Sequence, residues 1–151
     1  MPEDDYYRRT MPKIFAKYRN TSLKMLLQYF VPFFKTKWSE ITVDKLLDRV
    51  NSDQPPLLID IRSPAEFIGG YGHILNARSI ELLDLESNFE DLQPFKDKEI
   101  VTMCPGGGLS LVAVEIMEKA GFKDVKSLKG GTDLWHQSGY PTTMSQSDED
   151  E

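Results

Sequence analysis

The chain of 151 residues contains a single cysteine, Cys104, and only two histidines, His73 and His136. One cysteine cannot form a disulfide within the chain, so nothing in the composition indicates an oxidising compartment. These three side chains are widely separated in the sequence and lack the spacing typical of zinc ligands. We therefore expect no metal site and no cofactor, which leaves the lone thiol as the residue of greatest chemical interest.

Long hydrophobic runs are also missing. The longest uncharged apolar run near the start, residues 25–34, is too short to span a bilayer. Residues 1–10 are charged, so we expect no secretory signal and a cytoplasmic location. Residues 1–40 carry eight Lys/Arg against four Asp/Glu, net +4, whereas residues 41–151 carry ten against twenty, net −10. The acidic body argues against general nucleic-acid binding.

Composition divides the chain into three regions. Residues 1–38 are a basic, aromatic extension, predicted to be partly helical because apolar residues recur at helical spacing over residues 23–30. The part from residue 12 to 38 could contact a membrane surface or an acidic partner, but we favour packing of its apolar stripe on the domain or across a dimer. Residues 39–142 form the main domain, and the acidic tail 143–151 is predicted to be disordered. The oligomeric state stays open.

Strand-like and helix-like patterns alternate through the main domain. Ser63, followed by Pro64 and then Glu66, predicts a helix start with a capping box and proline at its first position. Short alternating units predict an α/β class with a central, mostly parallel sheet flanked by helices. The predicted strands are 57–61, 79–80, 100–103 and 125–128, and the other predicted helices are 42–50, 82–89, 110–120 and 132–137.

Cys104 follows one of these predicted strands. It precedes Pro105, then the glycines at 106–108, and then a predicted helix. Ligands of parallel sheets bind at the carboxyl ends of strands. A thiol there lies beside loop N–H groups and a helix N-terminus, both of which favour a thiolate and a bound anion. The pattern indicates a nucleophile for sulfur or phosphoryl-type chemistry; the alternative is a small buried core residue.

A set of residues along the main domain has the order and spacing of a known family. They are Leu58-Ile59-Asp60-Ile61-Arg62-Ser63, Glu66-Phe67, Gly72-His73-Ile74, Ala77, Ile80, Cys104, Gly107, Ser110, Gly121-Phe122, Leu128-Lys129-Gly130-Gly131, Trp135, Gly139 and Pro141. Through these residues the main domain resembles a single-domain rhodanese, a member of the sulfurtransferase family. The resemblance covers about two-thirds of the chain and implies a rhodanese-like fold.

The resemblance also implies a mechanism. The cysteine thiolate takes a sulfane sulfur from a small donor such as thiosulfate, or from a protein persulfide, and a thiol acceptor then removes it. Cys104 would be the catalytic nucleophile, and the helix N-terminus would lower the pKa of its thiol. The loop residues whose backbone would bind the donor or the persulfide are Gly106, Gly107, Gly108, Leu109 and Ser110.

The loop departs from the family at Leu109. Many single-domain rhodaneses have arginine at this position, where a guanidinium can clamp the sulfonate of thiosulfate. We therefore expect slow turnover of thiosulfate, or a preference for a less anionic donor such as a persulfide on another protein. The alternative is a rhodanese-like binding or regulatory module with little activity. A cysteine phosphatase is rejected, because it needs arginine six positions after the cysteine and Ser110 stands there.

The remaining candidate residues have a structural interpretation. Asp60 and Arg62 could assist at the pocket rim, but we favour a buried ion pair that orients a loop and supports the site. His73 could act as a general base, although a histidine hydrogen-bonded within the fold is more common. We expect His136 at the surface and Trp135 in the core.

Overall fold

The computed structural model describes residues 39–145. The predicted helical extension 1–38 and most of the predicted tail 143–151 lie outside the described residues. Five strands, four α-helices and three short 3-10 helices occur within the described range. In chain order they are β1 Glu40–Ile41, α1 Val43–Val50, β2 Leu57–Asp60, α2 Pro64–Ile68, β3 Arg78–Ser79, the 3-10 helices Leu82–Asp84, Glu86–Asn88 and Gln93–Phe95, β4 Glu99–Met103, α3 Gly108–Lys119, β5 Asp124–Leu128 and α4 Gly131–Gln137.

The five strands form one parallel sheet in the order β1-β5-β4-β2-β3. The predicted α/β class with a parallel sheet flanked by helices is therefore confirmed. In the central pair, Asp60 of β2 is in register with Met103 of β4, so both strands end at the same edge. Between residues 39 and 145, no helix is long and apolar enough to cross a membrane.

Local sequence signals place the helix starts. Thr42 caps α1 by accepting a hydrogen bond from the Lys45 N–H. Ser63 caps α2 by accepting one from the Glu66 N–H at 3.3 Å, and its hydroxyl donates to the Glu66 carboxylate at 3.0 Å. Pro64 occupies the first helical turn, where its missing N–H costs no hydrogen bond. The predicted capping arrangement of α2 is confirmed.

The short helix predicted over residues 82–89 is not one continuous element in the structure. That segment forms two 3-10 helices, Leu82–Asp84 and Glu86–Asn88. Its buried side chains, Leu82 and Leu85, are three residues apart, which matches the three-residue turn of a 3-10 helix. The short strand β1 and the third 3-10 helix were not predicted from the sequence.

Helices cover both faces of the sheet. One face carries a core cluster with side chains from α1, α2, α4 and alternate strand positions: Ile41, Val43, Leu46, Leu58, Phe67, Ile74, Ala77, Val101, Met103, Leu128 and Trp135. Trp135 is 1% exposed, as expected, and its indole N–H donates to the Pro141 carbonyl at 3.0 Å. Helix α3 packs on β4 and β5, where the Thr102 hydroxyl donates to the Ser110 carbonyl at 2.9 Å.

The loops that follow β2, β4 and β5 meet at the carboxyl edge of the sheet. There Asp60 and Arg62 form a buried ion pair, with Nε–Oδ1 at 2.9 Å and Nη2–Oδ2 at 2.7 Å. Arg62 also donates to the Gly72 carbonyl at 2.8 Å, which ties the loop after β2 to the loop after α2. This geometry matches the favoured interpretation of the pair as a support for the loops.

Replacing Asp60 by asparagine tests how strongly the fold depends on this pair. Asp60→Asn keeps the side-chain shape but leaves Arg62, only 3% exposed, without its counter-charge. We expect a loss of about 3–5 kcal/mol in the free energy of unfolding, measured by urea denaturation. Asp97→Asn is the control: it breaks the exposed pair with Lys123 and should leave the midpoint unchanged. Equal effects of the two substitutions would contradict the interpretation of the Asp60–Arg62 pair as a support of the fold.

Candidate active site

Cys104 lies at the point where β4 ends and the loop to α3 begins. Its side chain is 2% exposed. Gly107 caps α3 at its N-terminus with φ of +93°, a left-handed conformation that glycine adopts without steric cost. This turn folds the loop back over the cysteine, so that the sulfur lies beneath the loop.

Backbone and side-chain groups of the loop converge on the sulfur. The Gly107 N–H donates to Sγ at 3.1 Å and the Ser110 N–H at 3.4 Å. The Ser110 hydroxyl also lies 3.4 Å from Sγ. These donors belong to the first turn of α3, where backbone N–H groups have no partner within the helix. The arrangement can therefore stabilise negative charge on the sulfur or on a group bound to it.

The β5–α4 turn holds the other side of the loop. The Thr132 N–H donates to the Cys104 carbonyl at 2.9 Å, and the Asp133 N–H donates to the Pro105 carbonyl at 3.0 Å. Gly131 makes this approach feasible, because a Cβ there would lie 2.3 Å from the Cys104 carbonyl oxygen. The glycine pair that marks this turn in the sequence is thus part of the site.

Five loop residues were predicted to bind through their backbone. Gly107 and Ser110 contact the sulfur, and the Leu109 N–H also favours its ionised form. Gly106 and Gly108 are half-buried beside them. Binding of a sulfur donor by the backbone of these five residues stays a prediction.

Sequence reasoning missed Ser127. Its hydroxyl lies 2.5 Å from the Ser110 hydroxyl and donates to the Gly107 carbonyl at 3.2 Å. Ser127 and Ser110 are both fully buried at 0% exposure. A signal was available, because Ser127 alternates with the apolar Val125 at the buried positions of β5, and a buried hydroxyl needs a partner.

The expectation of a lowered thiol pKa is wrong. Burial of the side chain raises the pKa of Cys104, because desolvation penalises the thiolate. The Ser110 hydroxyl and the N–H groups of Ser110, Gly107 and Leu109 lower the pKa but do not offset burial. The helix N-terminus is present as predicted, yet the depth of the sulfur beneath the loop decides the direction.

The loop itself contributes no positive charge. Leu109, where many rhodaneses have arginine, is 1% exposed and packs in the core. The nearby Arg62 is occupied by Asp60 and the Gly72 carbonyl. On α4, the Asp133 carboxylate accepts a hydrogen bond from the Tyr71 hydroxyl at 2.5 Å. A bound anion would therefore depend on backbone N–H groups.

Neither histidine lies in the Cys104 loop. His73 is 2% exposed, with Nδ1 2.8 Å from the Phe67 carbonyl and its ring stacked on Phe67 at 3.5 Å. His136 is exposed, as expected, and stacks on the Tyr71 ring at 4.6 Å. The structural interpretation of His73 is therefore favoured over a general base. No cluster of three potential metal ligands occurs within residues 39–145.

Comparison with known proteins agrees with this geometry. Residues 42–138, well over half of the chain, match the family described as the rhodanese-like domain.

The chain belongs to the rhodanese-like domain family.

Relatives of this rhodanese-like chain include proteins named for sulfur transfer. A sulfurtransferase from Allochromatium vinosum is 29% identical over 68% of this chain and 92% of its own length. An uncharacterized protein from Synechocystis is 32% identical over 67% of this chain, which spans only 54% of that relative. A crystal structure of a rhodanese-related protein from Thermoplasma volcanium superposes with a TM-score of 0.63 at 26% identity, covering 72% of this chain and 100% of that one. The chain thus shares its rhodanese-like domain with a relative that is named a sulfurtransferase.

The raised pKa of Cys104 predicts its reactivity. Because only the thiolate is nucleophilic, alkylation by iodoacetamide should rise with pH and still be rising above about pH 8.5, the ordinary thiol pKa. The same chain unfolded in urea serves as the control and should level off near the ordinary value. A folded-state profile that reaches its plateau at lower pH than the unfolded one would contradict the raised pKa.

Proposed function

We propose that this protein is a sulfurtransferase that carries sulfane sulfur as a persulfide on Cys104. The observation that supports the proposal is the convergence of the Gly107 and Ser110 N–H groups on Sγ at the carboxyl edge of the sheet. A persulfide is anionic at its outer sulfur, so fixed N–H donors at a helix N-terminus favour it without reorganisation. Family membership of residues 42–138 agrees with this chemistry.

Loading of the cysteine is a displacement at sulfur. The Cys104 thiolate attacks the sulfane sulfur of the donor, and a new S–S bond forms to Sγ. The bond between that sulfur and the rest of the donor breaks, and the donor fragment leaves with the electron pair. Thiosulfate would release sulfite, and a protein persulfide would release a thiolate. The proton lost when Cys104 ionises goes to solvent.

Unloading repeats the displacement with the roles exchanged. An acceptor thiolate attacks the outer sulfur of the Cys104 persulfide, and the S–S bond to Sγ breaks. Cys104 leaves as a thiolate, and the acceptor carries the sulfur as its own persulfide. Because each half-reaction ends before the other begins, the kinetics should be ping-pong.

The charge around the site favours a persulfide donor over thiosulfate. Thiosulfate carries a sulfonate group that a guanidinium would clamp through two hydrogen bonds. Here Leu109 supplies no charge, and Arg62 is held by Asp60. Asp133 places a carboxylate in the first turn of α4, which disfavours a dianion further.

A second candidate function is a rhodanese-like binding module with little turnover. The observation that favours it is the burial of Cys104, whose 2% exposure and raised pKa both slow nucleophilic attack. The convergent N–H groups at the sulfur favour the first function, because a structural thiol has no need of them. Loading of sulfur separates the two candidates.

Intact-mass measurement tests the persulfide directly. The full chain is incubated with thiosulfate, and separately with a cysteine desulfurase plus cysteine, and weighed. We expect the wild-type protein to gain about 32 Da, one sulfur atom, and Cys104→Ser to gain nothing, because the chain has no other thiol. If neither donor loads the wild-type protein, the sulfurtransferase proposal fails and the binding module replaces it.

Donor preference is tested by loading rates. A rhodanese with arginine in its loop provides the benchmark. Since one charge-assisted clamp contributes about 1.5–3 kcal/mol, loading from thiosulfate should be roughly ten- to a hundredfold slower than in the benchmark. Loading from a persulfide donor should be comparable in the two proteins. Equal thiosulfate rates would show that the missing arginine has no bearing on donor choice.

A further inference from the structure

Two buried serine hydroxyls lie in series behind the sulfur of Cys104. Ser110 Oγ is 3.4 Å from Sγ and 2.5 Å from Ser127 Oγ, and Ser127 Oγ is 3.2 Å from the Gly107 carbonyl oxygen. Both serines are 0% exposed, so bulk water does not compete for them. Each hydroxyl has only one proton to donate, and this limit makes the direction of the chain of bonds meaningful.

The carbonyl group at the far end of this series of hydrogen bonds determines which hydroxyl donates at each step. A carbonyl oxygen only accepts, so Ser127 donates to Gly107 and its proton is used there. Ser110 is then the donor in the 2.5 Å bond to Ser127. With its own proton used, Ser110 can only accept from Cys104, which must carry its S–H proton. Every donor in the chain is satisfied when Cys104 is a thiol.

We propose that Ser127 is a positioning residue that withholds the Ser110 hydroxyl proton from the sulfur while Cys104 is a thiol. When the thiol ionises, the chain reverses: Ser110 donates to the sulfur and Ser127 donates to Ser110. The Gly107 carbonyl then gives up its bond from Ser127. Ionisation thus exchanges three hydrogen bonds for two, of which the one to sulfur is charge-assisted. The role of Ser127 in sulfur transfer rests on the proposed function.

Removing the Ser127 hydroxyl should favour the thiolate. With alanine at position 127, the Ser110 proton has lost its competing acceptor and turns to the sulfur in both protonation states. Burial of an unpaired donor is costly, and the thiolate is a far better acceptor than the thiol. Removing the Ser110 hydroxyl has the opposite effect, because it deletes a donor to the thiolate. Substitutions of Ser127 and Ser110, whose hydroxyls are in contact, are therefore expected to shift the ionisation of Cys104 in opposite directions.

Charged groups on several surrounding elements have partners of their own, and Lys129 of the β5–α4 turn is exposed. Arg62 of the β2 loop pairs with Asp60, and Lys126 of β5 pairs with Asp124 and Glu99. On α3, Glu115 pairs with Lys119, and on α4, Asp133 accepts from Tyr71 while the exposed His136 stacks on Tyr71. The hydroxyl chain is therefore the local device through which position 127 acts on the sulfur.

The experiment measures the pH profile of iodoacetamide alkylation on the full chain with no sulfur donor present. Ser127→Ala should alkylate about threefold to tenfold faster than wild type at neutral pH, with a lower midpoint. Ser110→Ala should alkylate more slowly, with a higher midpoint. In the Ser110→Ala background, Ser127→Ala should have no further effect, because it acts through Ser110.

Thr102→Val is the matched control. It removes another fully buried hydroxyl, one that donates to the Ser110 carbonyl rather than toward the sulfur, and should leave the profile unchanged. Ser127→Gly removes the same hydroxyl and replaces Ser127→Ala if that variant does not fold. A Ser127 variant that alkylates at the wild-type rate or more slowly, or that shows equal acceleration with and without Ser110, overturns the proposal.

The result of the alkylation experiment does not depend on whether Cys104 forms a persulfide. Alkylation needs no sulfur donor, so the shift at Ser127 can be present even if neither thiosulfate nor a desulfurase loads Cys104. In that case the proposed function fails and the positioning of the Ser110 proton stands. If sulfur loads normally but the Ser127 variants do not shift the alkylation profile, the proposed function stands and Ser127 is structural.

Discussion

The left-handed turn at Gly107 is the constraint on which the site depends. A Cβ at this position would lie 2.9 Å from the Leu128 carbonyl oxygen and 3.1 Å from the Gly130 nitrogen, so the loop approaches β5 too closely for any side chain. Only this close approach allows the Gly107 N–H to reach Sγ while the Gly107 carbonyl accepts from Ser127. The turn therefore joins the loop, the sulfur and the inner hydroxyls.

Burial and hydrogen bonding oppose each other at Cys104. Desolvation favours the neutral thiol, whereas the N–H groups of Gly107 and Ser110 favour the thiolate. Burial prevails in this structure, and the pKa is raised. The same N–H groups suit an anion attached to the sulfur, whose charge lies further out than that of a thiolate. The proposed persulfide would therefore be better matched to the site than the free thiolate.

Much of the fold was predictable because its signals are local. Ser63 with Pro64 and Glu66 predicted the start of α2, and apolar runs between helical patterns predicted a parallel sheet. Secondary-structure predictions were missing or inexact where the local hydrophobic pattern carries little information. The two-residue strand β1 is too short to show periodicity, and its pairing with β5 is a long-range contact. The segment around Leu82 has the composition of a helix, but its two buried leucines are spaced for a 3-10 turn.

The candidate site likewise has features that follow from the sequence and features that depend on the tertiary structure. The sequence by itself determined the family, the place of the lone Cys104 before the glycine-rich turn, and leucine rather than arginine at position 109, because these depend on residue identity and order. Only the tertiary structure decided that the sulfur is buried with a raised pKa, and that Ser127 lies behind Ser110. The Cys104 sulfur is buried because the loop, helix α3 and the β5–α4 turn pack together around it. The contact between Ser110 and Ser127 joins residues from two elements whose separation in sequence says nothing of their separation in space.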